Sequence, residues 1–405
     1  MKINLKRKVI LGFCAVFLMG NLLFTGCGMK TETDQTTSQD TESSNIDQES
    51  ATGQRADLEL KDLVSEGKLE LSYAKNFEVE KYQNGYRMIR LADGSSYFVI
   101  PEGEKNVKGL EEGTVVLQQP LNHLYLAASA VMDMFRYLEA IDTITLSGQQ
   151  ADGWYINEAK EAMQRGDMVY AGKYNKPDYE QILAKNCPLA IENKMILHVP
   201  EVMEKLEGFG IPVFVDHSSY ESHPMGRMEW IKCYGVLLGK EEMAEQIFAE
   251  QEEQVQKVMA EQKTGKTAAF FFITSNGMVQ VRQSSDYVPA MIRLAGGEYV
   301  FEDLGDPQSA RSTMNMQVEE FYYGAKDADF LIYNSAIDGG VDSLEELLDK
   351  CGVLKDFKAV QDGNVWCTSN DLYQQSMSIG YLIQDMHTMF IGGEETEMTY
   401  LYHLK

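Results

Sequence analysis

The segment from Glu241 to Gln262 constrains the fold most, because it predicts one unbroken helix between two halves of similar pattern. Its mostly apolar positions return every three or four residues, as at Ala244, Phe248 and Val255, which places them along one helix face. Good helix formers (Glu, Gln, Lys and Ala) fill most other positions, and neither glycine nor proline interrupts the segment. At about 1.5 Å per residue the helix would be roughly 33 Å long. A helix of that length predicts a spine between two domains.

On either side of this helix, short apolar runs alternate with helical patterns. This order is typical of parallel βα units. Before the spine, the predicted strands are residues 114–119, 143–148, 166–174, 188–192 and 211–216, and the predicted helices are 124–140, 178–186 and 200–210. After the spine, the predicted strands are 267–273, 329–334 and 364–369, and the predicted helices are 286–297, 316–328, 343–350 and 373–390. We therefore predict an α/β fold with two Rossmann-like αβ lobes, each built on a parallel sheet, joined by one long α-helix.

The N-terminal residues predict export and lipid attachment. A basic start is followed by an apolar run from Val9 to Phe24, which is short for a transmembrane helix and typical of a signal peptide. The segment LLFTGC resembles the bacterial lipobox, although Phe24 stands where leucine is usual. The resemblance implies cleavage before Cys27 and attachment of lipid to its thiol. Residues 27–56 are polar and predict a disordered tether.

A small β-rich extension is predicted between the tether and the first lobe. Residues 57–110 alternate in the manner of strands, and Asn84-Gly85 and Asp93-Gly94 are hairpin turn signals. The predicted organisation is a signal peptide over 1–26, a tether over 27–56, the extension over 57–110, an N-terminal lobe over 111–222, a helical linker with the spine over 223–263 and a C-terminal lobe over 264–405.

Charge and motifs narrow the function. The net charge of −26 argues against nucleic-acid binding, which requires clustered Lys and Arg. GxSxG, P-loop and GxGxxG motifs are absent, so we predict that the protein is not an enzyme. A secreted enzyme on the same fold remains a remote alternative.

The four cysteines beyond Cys27 have neither a CxxC pair nor a zinc-like spacing. Buried free thiols are the expected state, and one disulfide remains open for an exported protein. These residues are Cys187, Cys233, Cys351 and Cys367.

Several segments carry a family resemblance through their order and spacing. They are VVLQQP, AGKYNKPDYEQILAKNCPLAI, EKLEGFGIPV, WIKCYGVLLGKEEMAE and AKDADFLIYN. Between Thr114 and Phe390 the chain resembles the substrate-binding proteins of ABC importers, in the class that serves iron–siderophores, haem and cobalamin. The resemblance implies a monomer, lipid-anchored to the outer face of the cell membrane. It also implies an interlobe cleft for a small-molecule metal complex, and an ABC permease with its ATPase as partners.

Two glutamates match the docking residues of that family. Glu180 and Glu320 each stand near the start of a predicted helix, where the helix dipole alone would favour an acidic residue. The resemblance implies that they meet arginines of the permease, with Glu319 as an alternative to Glu320.

Ligand contacts are expected at the carboxyl ends of the strands, where the loops of αβ lobes converge. The candidates combine aromatic rings, which stack on flat ligands, with cations, which pair with carboxylate or phenolate oxygens. Each one alone is also consistent with core or rim packing. They are Asn122, His123, Trp154, Tyr155, Lys173, Tyr174, His217, Arg282, Tyr287, Arg311, Trp366 and Tyr373. An anionic iron chelate, a haem or a corrinoid is the expected ligand, and neither a cofactor nor a resident metal is predicted.

A bare zinc or manganese ion is the alternative ligand. Such a site needs His and carboxylate ligands from both lobes. The first lobe offers His123, Glu192 and His217, whereas the second offers only His387 and His403.

Overall fold

The computed structural model describes residues 57–305 and 312–405. The predicted signal peptide, Cys27, the tether and Arg311 lie outside the described residues. The described residues belong to one compact unit. Within the described ranges, no helix has both the length and the apolar character needed to cross a membrane.

Strands and helices alternate through most of the described chain. The strands are β1 Leu58–Glu59, β2 Ser65–Lys68, β3 Phe77–Tyr82, β4 Arg87–Leu91, β5 Ser96–Ile100, β6 Val107–Lys108, β7 Val115–Gln118, β8 Leu124–Leu126, β9 Ile144–Ser147, β10 Val169–Tyr170, β11 Gly172–Lys173, β12 Lys176–Pro177, β13 Ala190–Asn193, β14 Val213–Asp216, β15 Thr267–Ile273, β16 Val279–Arg282, β17 Glu298–Tyr299, β18 Thr313–Met316, β19 Phe330–Tyr333, β20 Val365–Thr368 and β21 Leu401–His403. The α-helices are α1 Met132–Tyr137, α2 Asn157–Arg165, α3 Tyr179–Ala184, α4 Pro200–Gly208, α5 Pro224–Glu229, α6 Ile231–Leu238, α7 Glu241–Met259, α8 Tyr287–Leu294, α9 Val318–Ala325, α10 Leu344–Lys350, α11 Lys358–Gln361 and α12 Ile379–Ile391.

The N-terminal extension is a five-stranded sheet in the order β2-β3-β4-β5-β7. The first four strands pair antiparallel, and β7 runs parallel to β5. The predicted strand over 114–119 therefore forms, but it closes this sheet instead of opening the first lobe. Leu117 is buried while Val116 is 45% exposed, so β7 has one buried face, a pattern that does not reveal which sheet the strand joins.

The first lobe contains a five-stranded parallel sheet in the order β10-β9-β8-β13-β14. From β8 the chain adds β9 and β10 on one side of the sheet, and it then returns to add β13 and β14 on the other side. The gap between β8 and β13 is therefore the topological switch point of the sheet. The prediction of one helix over 124–140 is wrong at its start, because Leu124–Leu126 is the central strand β8 and α1 begins at Met132. A short, continuously apolar run fits a buried strand as well as a buried helix.

The second lobe contains a seven-stranded sheet in the order β18-β16-β15-β19-β20-β21, with β17 also paired to β15. Strands β15, β19 and β20 are parallel, as predicted, and the short strand β17, which was not predicted, also runs parallel to β15. Strands β16, β18 and β21 join antiparallel, so this sheet is mixed. The predicted helix over 316–328 begins only at Val318, because Thr313–Met316 forms β18. The predicted α/β fold class is confirmed.

The predicted spine is helix α7, which has 19 residues and is therefore about 28 Å long. Ala244, Phe248 and Val255 are among its buried residues, as the periodicity predicts. Helix α6 ends at Leu238 and is capped by Gly239, whose φ of 68° is a left-handed conformation that favours glycine. Helix α7 then packs against both α6 and α12 of the second lobe.

One hydrophobic cluster connects all parts of the described chain. It includes Val79 of the extension, Phe135 of the first lobe, Trp230 of the linker, Phe248 of the spine and Phe390 of the second lobe. The extension is thus part of a shared core. The four cysteines of the described chain are buried, as predicted, and free: Cys187, Cys233, Cys351 and Cys367.

Candidate functional site

A cavity of about 680 Å³ lies between the two lobes, within the range of about 300–1,000 Å³ that is usual for small-molecule sites. The first lobe lines it with Ala128–Ala130 and Asn193–Met195, which follow β8 and β13. These are the two strands of the switch point, where open α/β sheets bind ligands. The second lobe contributes Ser285–Tyr287 and the Leu372–Tyr373 segment. We call this space the interlobe cleft.

Helix α5 of the linker brings Arg227 into the cleft. Its Nε donates a hydrogen bond of 3.0 Å to the Glu221 carbonyl oxygen, and Nη2 donates to the Ser219 carbonyl oxygen. The guanidinium carbon lies 3.5 Å from the centroid of the Tyr287 ring. Burial, with a smaller contribution from the charge of Arg282, lowers the pKa of Arg227. Arginine nevertheless keeps its charge at physiological pH, because its ordinary pKa lies above 12.

Arg282, at the end of β16, is the second guanidinium of the cleft and is only 7% exposed. Its Nη2 donates to the Tyr373 hydroxyl over 2.5 Å, and its Nη1 lies 3.7 Å from Asp286 Oδ1. Burial acts to lower the pKa of Arg282, but the neighbouring acidic groups Tyr373 and Asp286 raise it overall. Arg282 therefore stays charged.

The two guanidiniums share one aromatic ring. The guanidinium carbon of Arg282 lies 5.8 Å from the centroid of Tyr287, the ring on which Arg227 stacks. Like charges repel more strongly in a partly dry site than in water. Each arginine also has five N–H donors, and among the described residues Arg227 uses two of them, on the carbonyl oxygens of Glu221 and Ser219. This arrangement is suited to an anionic ligand.

The first-lobe wall of the cleft is polar. Asp216 is 3% exposed, and its carboxylate accepts hydrogen bonds from Ser218 Oγ at 2.7 Å and Tyr234 Oη at 2.9 Å. Burial raises the pKa of Asp216. Lys194 Nζ lies 4.3 Å from the centroid of the Tyr220 ring, which places a cation and an aromatic face together on this wall.

The segment that follows β20 ties the second lobe to the first beside the cleft. Ser376 Oγ donates to the Ala130 carbonyl oxygen at 2.8 Å, and the Met377 N–H donates to Asp133 Oδ2 at 2.8 Å. Burial raises the pKa of Asp133 to about 6, although Arg136 and the Met377 N–H oppose the shift. Because Ser376 also lines the cleft, these bonds hold the two walls together on that side.

Three of the predicted ligand residues line the cleft: Arg282, Tyr287 and Tyr373. Asp286 caps α8 by accepting a hydrogen bond from the Val288 N–H at 3.1 Å, which fixes Tyr287 in the first turn. Tyr373 accepts a second hydrogen bond, from Asn334 Nδ2 at 2.7 Å. Arg311 lies outside the described residues.

Four predicted residues lie away from the cleft because the strand assignments near them differ. Asn122 and His123 are exposed and precede β8, so they stand at the amino end of that strand. Lys173 and Tyr174 belong to the β11–β12 hairpin, which does not line the cleft.

The other predicted aromatic residues and His217 have structural contacts of their own. Trp154 is buried and donates from Nε1 to Ser147 Oγ at 3.1 Å. Trp366 is 8% exposed and stacks on His403 at 4.8 Å. His217 Nε2 lies 3.0 Å from Asp93 Oδ2 of the extension. Tyr155 is 46% exposed. None of these residues lines the cleft.

Sequence reasoning missed Arg227, Lys194 and Asn76, all of which line the cleft. A signal for Arg227 was present. It is a charged residue between Met225 and Met228 in a segment that follows a buried strand. A charged side chain within an apolar run is stable in the folded protein only when an opposite charge or hydrogen-bond acceptors pair with it. Asn76 had no such signal, because it comes from the extension.

The predicted docking glutamates are placed on exposed helix starts. Glu180 lies in the first turn of α3, and Glu320 lies in the first turn of α9 next to Glu319. All three side chains are exposed. Position and exposure are thus suited to a contact with a partner, which stays a prediction.

Two other kinds of candidate site, a metal-binding cluster and a second cavity, can be compared with the interlobe cleft. Across 57–305 and 312–405, no group of three or more His, Cys, Asp and Glu side chains is arranged to hold a metal ion. A cavity of about 860 Å³ lies on the second lobe and the end of the linker, near Lys263 and Gly324. Its arginine, Arg293, is already paired with Glu302 at 2.8 Å. The interlobe cleft, with charges from separate parts of the chain, is the stronger candidate.

By sequence, the chain is similar to two uncharacterized lipoproteins of Methanocaldococcus jannaschii. One is 23% identical over 364 residues, which cover 83% of this chain and 86% of the relative. The other is 22% identical over 415 residues, which cover 98% of this chain and 100% of the relative. No protein-family model matches the chain.

By structure, the chain is similar to periplasmic binding proteins. A heme-binding protein of Pseudomonas aeruginosa matches with a TM-score of 0.56 and 13% identity, over 70% of this chain and 98% of its own. A heme-binding protein of Vibrio cholerae matches with a TM-score of 0.53 and 15% identity, over 65% of this chain and 98% of its own. A possible iron-binding protein of Staphylococcus epidermidis matches with a TM-score of 0.53 and 14% identity, over 66% of this chain and 98% of its own. These likenesses show that the chain has the two-lobed α/β fold of periplasmic solute-binding proteins.

Proposed function

We propose that this protein is the extracytoplasmic substrate-binding component of an ABC importer. It captures an iron complex, either a siderophore or haem, or a corrinoid, in the interlobe cleft and delivers it to the permease. The fold, the cleft at the switch point and the haem- and iron-binding roles of the similar proteins support this function. The lipobox-like segment and the lipoprotein names of the relatives support an anchor at Cys27. We propose no catalytic activity.

The arginine pair of the cleft carries the proposal. The guanidinium carbons of Arg227 and Arg282 lie 3.5 Å and 5.8 Å, respectively, from the centroid of the Tyr287 ring. Ferric chelates with carboxylate or phenolate groups, and the propionates of haem, supply the negative charge that two guanidiniums need. The flat rings of such ligands also suit the ring of Tyr373, which is 37% exposed.

A ligand panel tests the function directly. The purified protein in detergent would be titrated with a ferric hydroxamate siderophore, a ferric catecholate siderophore, haemin, cyanocobalamin and Zn²⁺, and followed by tryptophan fluorescence and thermal unfolding. We expect one of the first four to raise the unfolding midpoint by mass action without being consumed. Binding of Zn²⁺ alone, or turnover of a panel member, would contradict the proposal.

A docking variant tests delivery separately from capture. The double variant Glu180→Ala, Glu320→Ala should keep the ligand affinity of the native protein, because both side chains are exposed and neither lines the cleft. Single exposed ion pairs contribute only about 0–1 kcal/mol, so these contacts would orient the complex more than stabilise it. Uptake of the bound ligand by cells should fall.

The matched control for this test is Glu253→Ala, which removes another exposed glutamate from a helix. Uptake by the double variant at the rate of the control would exclude the docking role.

A further inference from the structure

The loop Ser72–Asn76 of the N-terminal extension is bound to the linker through its backbone. Glu229 accepts hydrogen bonds from the N–H groups of Ser72, Tyr73 and Ala74 at 2.9, 2.8 and 2.8 Å. Glu221 accepts from the next two N–H groups, those of Lys75 and Asn76, at 2.9 and 2.8 Å. Five consecutive donors thus meet two carboxylates that lie more than 140 residues away in sequence.

Both carboxylates are buried, which makes these bonds costly to lose. Glu229 is 0% exposed and Glu221 is 3% exposed. Glu229 also pairs with Lys232 at 2.9 Å, and Glu221 accepts a hydrogen bond from Trp230 Nε1 at 3.0 Å. A buried carboxylate is tolerated when several donors satisfy it, so this loop and the linker depend on each other.

The same loop lies directly on the helix that carries Arg227. A side chain at Gly226 would place its Cβ 3.1 Å from the Tyr73 carbonyl oxygen and 3.4 Å from Ala74 Cα. Glycine therefore permits the close approach of α5 to the loop. The loop ends at Asn76, which lines the cleft together with Arg227.

We propose that the Ser72–Asn76 loop is a third wall of the interlobe cleft, in which Asn76 recognises the ligand. Glu229 positions Asn76 indirectly, by holding the preceding residues Ser72–Ala74 of the same loop. This inference rests on the proposed function and adds a specificity element from outside the two lobes. The carboxamide of Asn76 offers both donors and an acceptor. It suits a ligand that carries a hydroxyl, carbonyl or amide group beside the anionic group that Arg227 faces.

The recognition role is tested with Asn76→Ala in the full chain, titrated with a ferric hydroxamate siderophore, a ferric catecholate siderophore, haemin and cyanocobalamin. For the probe that binds the native protein, we expect the Kd to rise by about five- to tenfold, as for loss of one hydrogen bond. The control Asn157→Ala removes an exposed asparagine of α2 and should leave the Kd unchanged. Equal affinities of Asn76→Ala and native protein would overturn the recognition role.

The positioning role is tested with Glu229→Gln, for which Glu253→Gln on the exposed face of the spine is the control. Without any ligand, hydrogen–deuterium exchange at the amides of 72–76 should rise in Glu229→Gln and not in the control. For the probe that binds, Glu229→Gln alone should raise the Kd. In a protein that already carries Asn76→Ala, the same substitution should raise the Kd little further, because Glu229 affects binding through Asn76.

The outcomes separate this inference from the proposed function. Unchanged exchange at 72–76, or additive effects of the two substitutions, would overturn the positioning role whatever the ligand is. If none of the four probes binds the native protein, the proposed function fails and the recognition role of Asn76 fails with it. The exchange measurement then still decides whether Glu229 holds the loop.

Discussion

Replacing Arg227 with alanine should weaken binding of an anionic ligand by about 10- to 100-fold, the range expected for loss of a charge-assisted hydrogen bond. Arg227 stacks at 3.5 Å on the Tyr287 ring. Within residues 57–305 and 312–405, two of its donors have partners, the carbonyl oxygens of Glu221 and Ser219, and we expect the others to be available to a ligand. Arg227→Lys should recover part of the affinity, since it keeps the charge but loses the planar fork. Fluorescence titration of the panel member that binds the native protein measures both variants.

The matched control is Arg165→Ala, which removes an exposed arginine of α2 that is paired with Asp167. It should bind the ligand as the native protein does. The double variant Arg227→Ala, Arg282→Ala should bind more weakly than either single variant, with non-additive effects because both guanidiniums lie on Tyr287. Native affinity in Arg227→Ala, with an unchanged circular dichroism spectrum, would remove the arginine from the site.

Glu192→Gln should stabilise the protein at pH 8 and have little effect near pH 4.5. Glu192 is 0% exposed, and neither carboxylate oxygen has a hydrogen-bond partner among the described residues. Burial alone raises the pKa of Glu192 to about 8, whereas an unfolded chain would give a pKa of about 4.3. Between these values the folded protein holds a proton that the unfolded chain has released.

This difference sets the sign of the pH dependence. The stability that Glu192 contributes is fully present below the unfolded pKa and is lost as the pH rises through the folded pKa. At about 1.4 kcal/mol per pKa unit, the loss up to pH 8 is on the order of a few kcal/mol. Glutamine stays neutral over the whole range, so the free energy of unfolding of the variant should fall less than that of the native protein. Urea unfolding at pH 5 and pH 8 measures the difference.

The control for the pH test is Glu253→Gln. Glu253 is exposed and paired with Lys257, so its replacement should leave the change in unfolding free energy between pH 5 and pH 8 close to the native value. A gain for Glu192→Gln that is the same at both pH values would show that Glu192 does not titrate in this window.

The local sequence pattern was sufficient to predict those helices and strands whose buried positions recur at a regular spacing or form one continuous run. Helix α7 begins at Glu241, as predicted, because a period near 3.6 residues places its apolar side chains on one face. Strand β15 covers Thr267–Ile273, as predicted, because a run rich in phenylalanine between turn residues suits a strand with both faces buried. The spine and most of the central strands therefore followed from neighbouring residues alone.

Local pattern failed where the same residues suit two structures. The run at Leu124–Leu126 is as apolar as a buried helix, yet it is β8. Strand β7 has the alternation of an edge strand, but pairing with β5 decided its sheet. These two assignments moved Asn122 and His123 from the expected carboxyl end of a strand to the amino end of the next.

The cleft itself is a product of long-range contacts. Arg282 and Tyr373 were predicted from their places near strand ends, but their hydrogen bond joins residues 91 positions apart. Asn76 reaches the cleft from the extension, where Glu221, 145 residues later, accepts a hydrogen bond from its backbone N–H and Glu229 holds the residues before it. Periodicity and propensity describe a residue and its near neighbours. They carry no information about which distant side chains meet, so the helix that joins the lobes could be predicted from sequence and the residues that surround a ligand required the assembled fold.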